Sequence, residues 1–364
     1  MTSLIRRQLI KGIASLPLSG IALPGLVQAQ APQVIRFGVS NAGVGNPPRI
    51  STSTLAIAQS QRVVEEEFKK DGIRVEWIFF KGEGPAVNEA LSNNQLDFAT
   101  QGGLPAIVGR SVGLDTRAVF ISSSRANTFL LAGRDSTIKS VADLRGKRIA
   151  FHKGTATQLA VNRILSLHGL SERDVRVMNL DPAASQAALQ AGDLDAIFGA
   201  ITILRLREAG AAKLVFTTRD AAVATSPSQV VANQAFASRH PELTQRTVKA
   251  LVRAAQWVSD ERNREDVFAT WSKGGSITAD MYREEYDGVP LAERLSPVFD
   301  PFVVARMRQS VEDAHKFKLI RKPFDIHAWI DTRYLDASLK ELGLDKHWPR
   351  FDASGKRIGH AAIA

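Results

Sequence analysis

Cysteine is absent from the 364 residues of this sequence. Its absence excludes disulfide bonds, thiolate metal sites and cysteine nucleophiles together. The sequence also lacks the H-E-x-x-H, G-x-S-x-G, Walker A and complete G-x-G-x-x-G patterns, which accompany zinc hydrolases, serine hydrolases and nucleotide-binding proteins. We therefore expect no catalytic residue, and a fold that is held together by packing alone.

Long apolar runs are equally scarce. Arg6, Arg7 and Lys11 precede an acid-free apolar segment over residues 12–27, which two prolines interrupt and which is shorter than the ~20 residues that span a bilayer. Small residues before a cleavage point after Ala29 complete the pattern of a signal peptide. The sequence predicts that residues 1–29 are a cleaved export signal. The Arg6-Arg7 pair resembles a twin-arginine signal, and the general secretory route is the alternative.

Charge of one sign is not concentrated in any segment. The formal net charge is +10 at pH 7, but the basic residues are scattered, and acidic residues such as Glu65, Glu66 and Glu67 lie between them. This distribution argues against a nucleic-acid-binding surface. A modest positive field does favour the approach of small anions.

The length and a weak internal repeat indicate two lobes. About 335 residues follow the predicted signal, which is typical of two domains. Ala90-Leu91 and Leu96-Asp97 recur with the same spacing as Ala188-Leu189 and Leu194-Asp195. In both copies a strand, a helix and a second strand surround these pairs, so we expect one βαβ unit to be used twice.

The segment from Ser140 to Leu170 contains a candidate anion site. Ser140 and Asp143 have the spacing of a capping box, residues 148–151 form a predicted strand, and Gly154 turns the chain into a helix that begins at Thr155. Free N–H groups at such a helix start favour an anion. The alternative is an ordinary connection between a strand and a helix.

Two further groups of side chains are candidates for anion or metal binding. His152, beside the predicted helix start, could make a pH-dependent contact with an anion, or it could be a surface residue. Asp193 and Asp195 could be metal ligands, but no other acid or histidine lies near them in sequence. We expect them to be acids between a helix end and a strand start, and we expect no metal and no cofactor.

Across roughly residues 33 to 345 the chain resembles the periplasmic substrate-binding proteins of ABC importers in the nitrate, taurine and alkanesulfonate group. The resemblance rests on the order and spacing of VEWIFF, EALSNNQLDFATQGGLPAI, DSTIKSVADLRGKRIAFHKGTATQ, LQAGDLDAIF and ANQAFASRHPEL. It implies an α/β fold of two hinge-linked lobes (type II-like) with the ligand in an interlobe cleft. The implied boundaries are lobe 1 over 33–126 and 229–348, lobe 2 over 127–228, and a polar C-terminal tail over 349–364.

The resemblance places the ligand contacts in loops at the carboxyl ends of strands. Neutral amide, hydroxyl and backbone N–H donors in these loops suit an oxyanion that must later be released. The implied ligand-binding residues are Asn41, Ala42, Gly84, Gln101, Gly102, Gly103, His152, Gly154, Thr155, Ala156, Thr157, Gly199, Ser226 and Ser228.

One segment departs from the family pattern. Residues 199–203 are Gly-Ala-Ile-Thr-Ile, where alkanesulfonate and taurine binders commonly carry an aromatic Trp-Asp-Pro-Tyr-like segment. The departure predicts a roomier, more aliphatic pocket that suits a larger organic anion, or an aromatic sulfonate or carboxylate.

The resemblance implies a monomeric periplasmic protein that captures a small organic anion, an aliphatic or aromatic sulfonate, and delivers it to an ABC permease. Alternatives are a carboxylate, nitrate or pyrimidine-type ligand, and a sensor role in place of transport. Enzymes of thiamine pyrimidine synthesis share a similar fold. They rely on cysteine- and histidine-rich positions and are cytosolic, whereas this chain lacks cysteine and carries a predicted export signal.

Overall fold

The computed structural model describes residues 32–220 and 224–359, and the predicted signal over residues 1–29 lies outside them. The strands are β1 Val34–Val39, β2 Arg74–Phe79, β3 Phe98–Gly102, β4 Thr116–Ala126, β5 Phe129–Gly133, β6 Arg148–Phe151, β7 Arg176–Asn179, β8 Ala196–Gly199, β9 Ala212–Thr217, β10 Ser226–Asn233, β11 Arg350–Phe351 and β12 Arg357–Ile358.

The helices lie between and after these strands. They are α1 Ser53–Ser60, α2 Val63–Phe68, α3 Glu83–Ser92, α4 Gly103–Ser111, α5 Ala156–Leu167, α6 Pro182–Ala191, α7 Arg205–Glu208, α8 Gln234–Arg239, α9 Pro241–Ser259, α10 Arg264–Ser272, α11 Ala279–Glu285, α12 Leu291–Arg294, α13 Pro301–Lys316 and α14 Arg333–Leu342. None of the described helices is long and apolar enough to cross a membrane.

In the described part of the chain, two five-stranded sheets define two α/β lobes. The first sheet has the order β2-β1-β3-β10-β4, and the second has the order β7-β6-β8-β5-β9. In each, three neighbouring strands are parallel and the fourth is antiparallel to both of its neighbours. The chain passes from the first sheet to the second after β4 and returns after β9. The two-lobed α/β fold expected from the sequence is confirmed.

The repeated acids explain the internal repeat. The Asp97 carboxylate accepts the backbone N–H of Arg36 at 2.8 Å and also pairs with its guanidinium. Asp195 accepts the backbone N–H of Arg148 at 2.7 Å and forms the same ion pair. Each acid thus joins the beginnings of two parallel strands. The described residues contain no cluster of acids, histidines or cysteines that could hold a metal ion.

The helical C-terminal half packs mainly on lobe 1. One face of α9, which includes Leu251, Ala254 and Val258, is fully buried, and this helix contacts α1, α2 and α14. Apolar residues at this spacing form one stripe of a helix, so the sequence pattern was sufficient to predict the contact face.

The structure differs from the sequence reading in two segments. Apolar periodicity over residues 52–70 predicts a single helix, but the structure divides it into α1 and α2, because Arg62 between them has a left-handed backbone with φ of 55°. Within the expected polar tail over 349–364, residues 350–358 form the β11–β12 hairpin, and residues 360–364 lie outside the described part of the chain. Phe351 is buried there, its N–H donates to Asp300 at 2.9 Å, and the Arg125 guanidinium lies 4.6 Å from its ring.

Candidate functional site

A cleft of about 210 Å³ lies between the two lobes. Hydroxyl and amide side chains from the ends of β1 and β3, from β4 and β10 and from the start of α1 form one part of its lining, and the second lobe contributes apolar residues. The lining residues are Val39, Ser40, Asn41, Ile50, Ser51, Thr52, Ser53, Thr100, Gln101, Gly102, Ser122, Ser123, Ala126, Asn127, Phe129, Ala200, Ile201, Ser228, Tyr282, Glu285, Tyr286 and Arg294.

Four of the residues predicted from the sequence line this cleft: Asn41, Gln101, Gly102 and Ser228. Gln101 is already engaged, since its side-chain amide donates to Asn88 at 2.8 Å. The other ten are not among the residues that line it. They are Ala42, Gly84, Gly103, His152, Gly154, Thr155, Ala156, Thr157, Gly199 and Ser226.

Several of these other residues form a contact between the lobes. A Cβ atom added to Gly102 in lobe 1 would lie 2.5 Å from the Cβ of Ala156 in lobe 2. One added to Gly154 would lie 3.1 Å from Pro85. The hydroxyl of Thr155 is buried and donates to the carbonyl of His152 at 2.7 Å. The start of α5 therefore abuts the end of β3.

An ionisable pair joins the lobes beside this contact. Nδ1 of His152 lies 3.3 Å from Oε1 of Glu83, and both side chains are about one-fifth exposed. Burial raises the pKa of Glu83 above its ordinary value, the nearby His152 opposes that rise, and the charge of Asp181 adds to it. The ionised form of Glu83 is thus disfavoured where the lobes meet.

Among the described residues, Glu285 and Arg294 are the charged side chains that line the cleft. Nη2 of Arg294 lies 2.9 Å from Oε1 of Glu285, and both side chains are less than one-tenth exposed. The guanidinium also donates to the carbonyl oxygens of Glu285 and Arg125, each at 3.2 Å, and lies 4.1 Å from the ring centre of Tyr286. Asn127, between β4 and β5, donates to the same Oε1 at 2.6 Å. The pair leaves the cleft without net charge.

Two tyrosines complete the site from the helical half. The hydroxyl of Tyr282 donates to the carbonyl of Ser51 at 3.0 Å. Burial raises the pKa of both Tyr282 and Tyr286, so both phenols are neutral at physiological pH. Sequence reasoning missed these residues together with Glu285 and Arg294, because they lie far along the chain from the strand ends. One signal was available: the chain has three tyrosines, and two of them lie here.

Two α/β lobes around a small polar cleft define the class of two-lobed ligand-binding folds, and comparisons with known proteins agree. Residues 67–264 match the NMT1/THI5-like family. The chain belongs to this family.

Individual relatives share both sequence and fold with the chain. A Bacillus subtilis (strain 168) protein, provisionally named an aliphatic sulfonates-binding protein, is 27% identical over 80% of this chain and 86% of its own length. The periplasmic sulfonate-binding protein SsuA from Methylobacillus flagellatus KT, whose crystal structure is known, is 28% identical to this chain. The two structures superpose with a TM-score of 0.76 over 88% of this chain and 97% of the SsuA chain. The desulfurization enzyme DSZB has a TM-score of 0.64 at 17% identity over 85% of this chain and 99% of its own. That degree of identity shows the shared fold alone.

Proposed function

We propose that this protein is the solute-binding component of an ABC importer and that it captures a compact sulfonate in the interlobe cleft. The observation that carries the proposal is the lining of the cleft, where hydroxyl and amide groups lie among apolar residues and the charges of Glu285 and Arg294 cancel. Such groups donate hydrogen bonds to sulfonate oxygens without the strong attraction of an unpaired cation, so the ligand stays releasable. The relatives named for binding sulfonates support the choice of ligand.

The size of the cleft favours a short ligand. Its volume of about 210 Å³ is below the ~300–1,000 Å³ of sites for drug-sized molecules. Ala200 and Ile201 line it on the lobe 2 side. They belong to the segment 199–203, whose sequence predicts a roomier, more aliphatic pocket. Phe129 and the two tyrosines add bulk from other elements. We infer that an alkyl chain of a few carbons fits better than an extended aromatic anion.

Binding without catalysis is part of the proposal. The enzyme with the same fold, DSZB, shows that this architecture also supports chemistry. The present chain contains no cysteine nucleophile, and the relatives of higher identity are named as binding proteins. As the component of an importer, the mature protein acts in the periplasm, and residues 1–29 direct its export. Its partner is the permease of the importer.

A ligand screen tests the proposal. The protein from residue 30 onward is heated with ethanesulfonate, propanesulfonate, taurine, benzenesulfonate, nitrate, sulfate, acetate or a pyrimidine. A ligand that binds the folded state at 100 times its Kd stabilises that state by about 2.7 kcal/mol and raises Tm. We expect the largest rise with a short sulfonate. A rise with nitrate or a pyrimidine and none with any sulfonate would refute the proposed ligand class.

A further inference from the structure

The Glu285–Arg294 pair keeps unused hydrogen-bonding positions at the cleft. Both hydrogen bonds to the Glu285 carboxylate are accepted by Oε1, from Arg294 and from Asn127, and Oε2 accepts none from the described residues. A guanidinium has five N–H donors. Those of Arg294 make one bond each from Nε, Nη1 and Nη2, so two N–H groups are left over. One wall of the cleft therefore offers a carboxylate acceptor beside guanidinium donors.

We infer that Glu285 is a specificity-determining residue that selects sulfonates bearing an ammonium group, that is, short aminoalkanesulfonates. The inference rests on the proposed function and specifies its ligand. The sulfonate oxygens accept hydrogen bonds from the hydroxyl, amide and guanidinium donors, and the ammonium donates to Oε2 of Glu285. A zwitterion carries no net charge, which matches a cleft whose own charges cancel.

The selectivity comes from the unfavourable free energy of leaving Oε2 of Glu285 without a hydrogen-bond donor. Its side chain is 6% exposed, so a bound ligand removes much of the remaining water from Oε2. A buried acceptor without a partner costs about 1–3 kcal/mol, and more if it is charged. A simple alkanesulfonate has only a methyl group to place there, whereas an ammonium forms a charge-assisted hydrogen bond. The discrimination therefore comes from a penalty against the unsubstituted ligand as well as a gain for the substituted one.

The position of Glu285 distinguishes this role from simple structural pairing. Arg163 and Asp313 also form a buried ion pair, but neither of them lines the cleft. Glu285 and Arg294 both line it, and the Arg294 guanidinium lies 4.1 Å from the centre of the Tyr286 ring. The carboxylate is thus held in place by Arg294 and Asn127 while one oxygen stays available to the ligand.

Calorimetry with three ligands of matched size tests the inference in the wild-type protein. Taurine, isethionate and propanesulfonate differ only in the terminal ammonium, hydroxyl or methyl group. We expect taurine to bind at least about tenfold more tightly than propanesulfonate, with isethionate between them. Equal affinities for taurine and propanesulfonate would overturn the inference and leave the sulfonate proposal intact. Binding of none of the three would overturn the proposed function as well.

A variant of Glu285 tests whether this residue causes the preference for taurine over propanesulfonate. In Glu285→Gln we expect taurine affinity to fall at least about tenfold, while propanesulfonate affinity is unchanged or rises because Arg294 loses its counter-charge. Glu293→Gln is the matched control: this carboxylate lies on α12 next to Arg294, is 3.7 Å from Arg125 and does not line the cleft. A taurine-to-propanesulfonate ratio that stays at the wild-type value in Glu285→Gln would refute the role of Glu285. The wild-type ligand series decides the question if this variant does not fold.

Discussion

At the scale of single residues, Gly102 matters because of the space that it leaves empty. Its φ is −71°, a value open to any residue, so backbone freedom does not require glycine here. The requirement comes from Ala156 of the other lobe, whose Cβ would lie 2.5 Å from an added Cβ. Both atoms are fixed to backbone, so neither can rotate away.

We predict that Gly102→Ala weakens ligand binding by roughly tenfold or more, since overpacking costs about 1–3 kcal/mol and the clash arises where the lobes meet. The adjacent Gly103→Ala is the control, because its added Cβ would have no neighbour nearer than 4.0 Å. Titration calorimetry of both variants measures the effect. Equal affinities in the two variants would show that the close approach of Gly102 to Ala156 is not needed for ligand binding.

Glu83 gives a pH-dependent prediction at the same scale. Burial raises its pKa in the folded protein above the ordinary value of 4.5, so the folded state binds this proton more tightly than the unfolded state does. The stability contributed by protonated Glu83 is complete below about pH 4.5 and is lost as the pH rises through the raised pKa.

We therefore expect the Tm of Glu83→Gln, relative to wild type, to increase between about pH 4.5 and pH 7. Thermal unfolding at several pH values measures the difference. Glu66→Gln is the control, since Glu66 is exposed and pairs with Lys69 at the surface, and its difference from wild type should vary little with pH. A flat curve for Glu83→Gln would show that this carboxylate is solvated in the native protein.

At the scale of elements, α5 is tied to the rest of the molecule at two places. Its first residue lies against Gly102, and Arg163 in its middle forms a buried ion pair of 2.7 Å with Asp313 of α13. The Arg163 guanidinium also donates to Ser310 of α13 and to the carbonyl of Thr225, next to β10. This helix of lobe 2 is therefore fixed to the helical half and to the return crossing of the chain.

Removing one member of this buried pair should destabilise the protein more than removing both. We predict that Asp313→Leu lowers the free energy of unfolding by about 3 kcal/mol, because it leaves a buried guanidinium without its counter-charge. Adding Arg163→Met should restore a large part of that loss. Urea unfolding measures both. Arg262→Met is the control, and it should leave the free energy of unfolding nearly unchanged, because the guanidinium that it removes is exposed. A double variant less stable than Asp313→Leu would contradict this account.

At the scale of the whole molecule, the two lobes must separate for a ligand to enter. The structure brings them into contact at Gly102 with Ala156, at Pro85 with Gly154 and at Glu83 with His152, around a cleft of only about 210 Å³. The two crossings after β4 and β9 are the backbone connections about which such a motion can occur.

We predict that the radius of gyration in solution falls when a saturating sulfonate is added, because ligand binding shifts the population toward the form with the lobes in contact. Small-angle X-ray scattering with and without ligand measures the change. Ethanol at the same concentration, which lacks the sulfonate, should leave it unaltered. An unchanged radius of gyration with a ligand shown to bind would contradict a hinge motion.

Much of the architecture could be predicted because its causes are local. The strand over residues 148–151, the capping box of Ser140 with Asp143, and the βαβ repeat with Asp97 and Asp195 all depend on residues close in sequence, and the structure confirms each of them. The break at Arg62 was missed because apolar periodicity continues across it. The hairpin that buries Phe351 was missed because its partners, Arg125 and Asp300, are distant along the chain.

By itself the sequence determined the two lobes, since these follow from periodicity, turn residues and the repeated unit. Tertiary structure alone decided which groups line the cleft. The closeness of the lobes places Ala156 against Gly102 and leaves the start of α5 outside the cavity. It also places Glu285 and Arg294 beside Asn41 and Ser228, which precede them by more than fifty residues. These residues become neighbours because segments that are distant along the chain pack together, and no local sequence pattern encodes such packing.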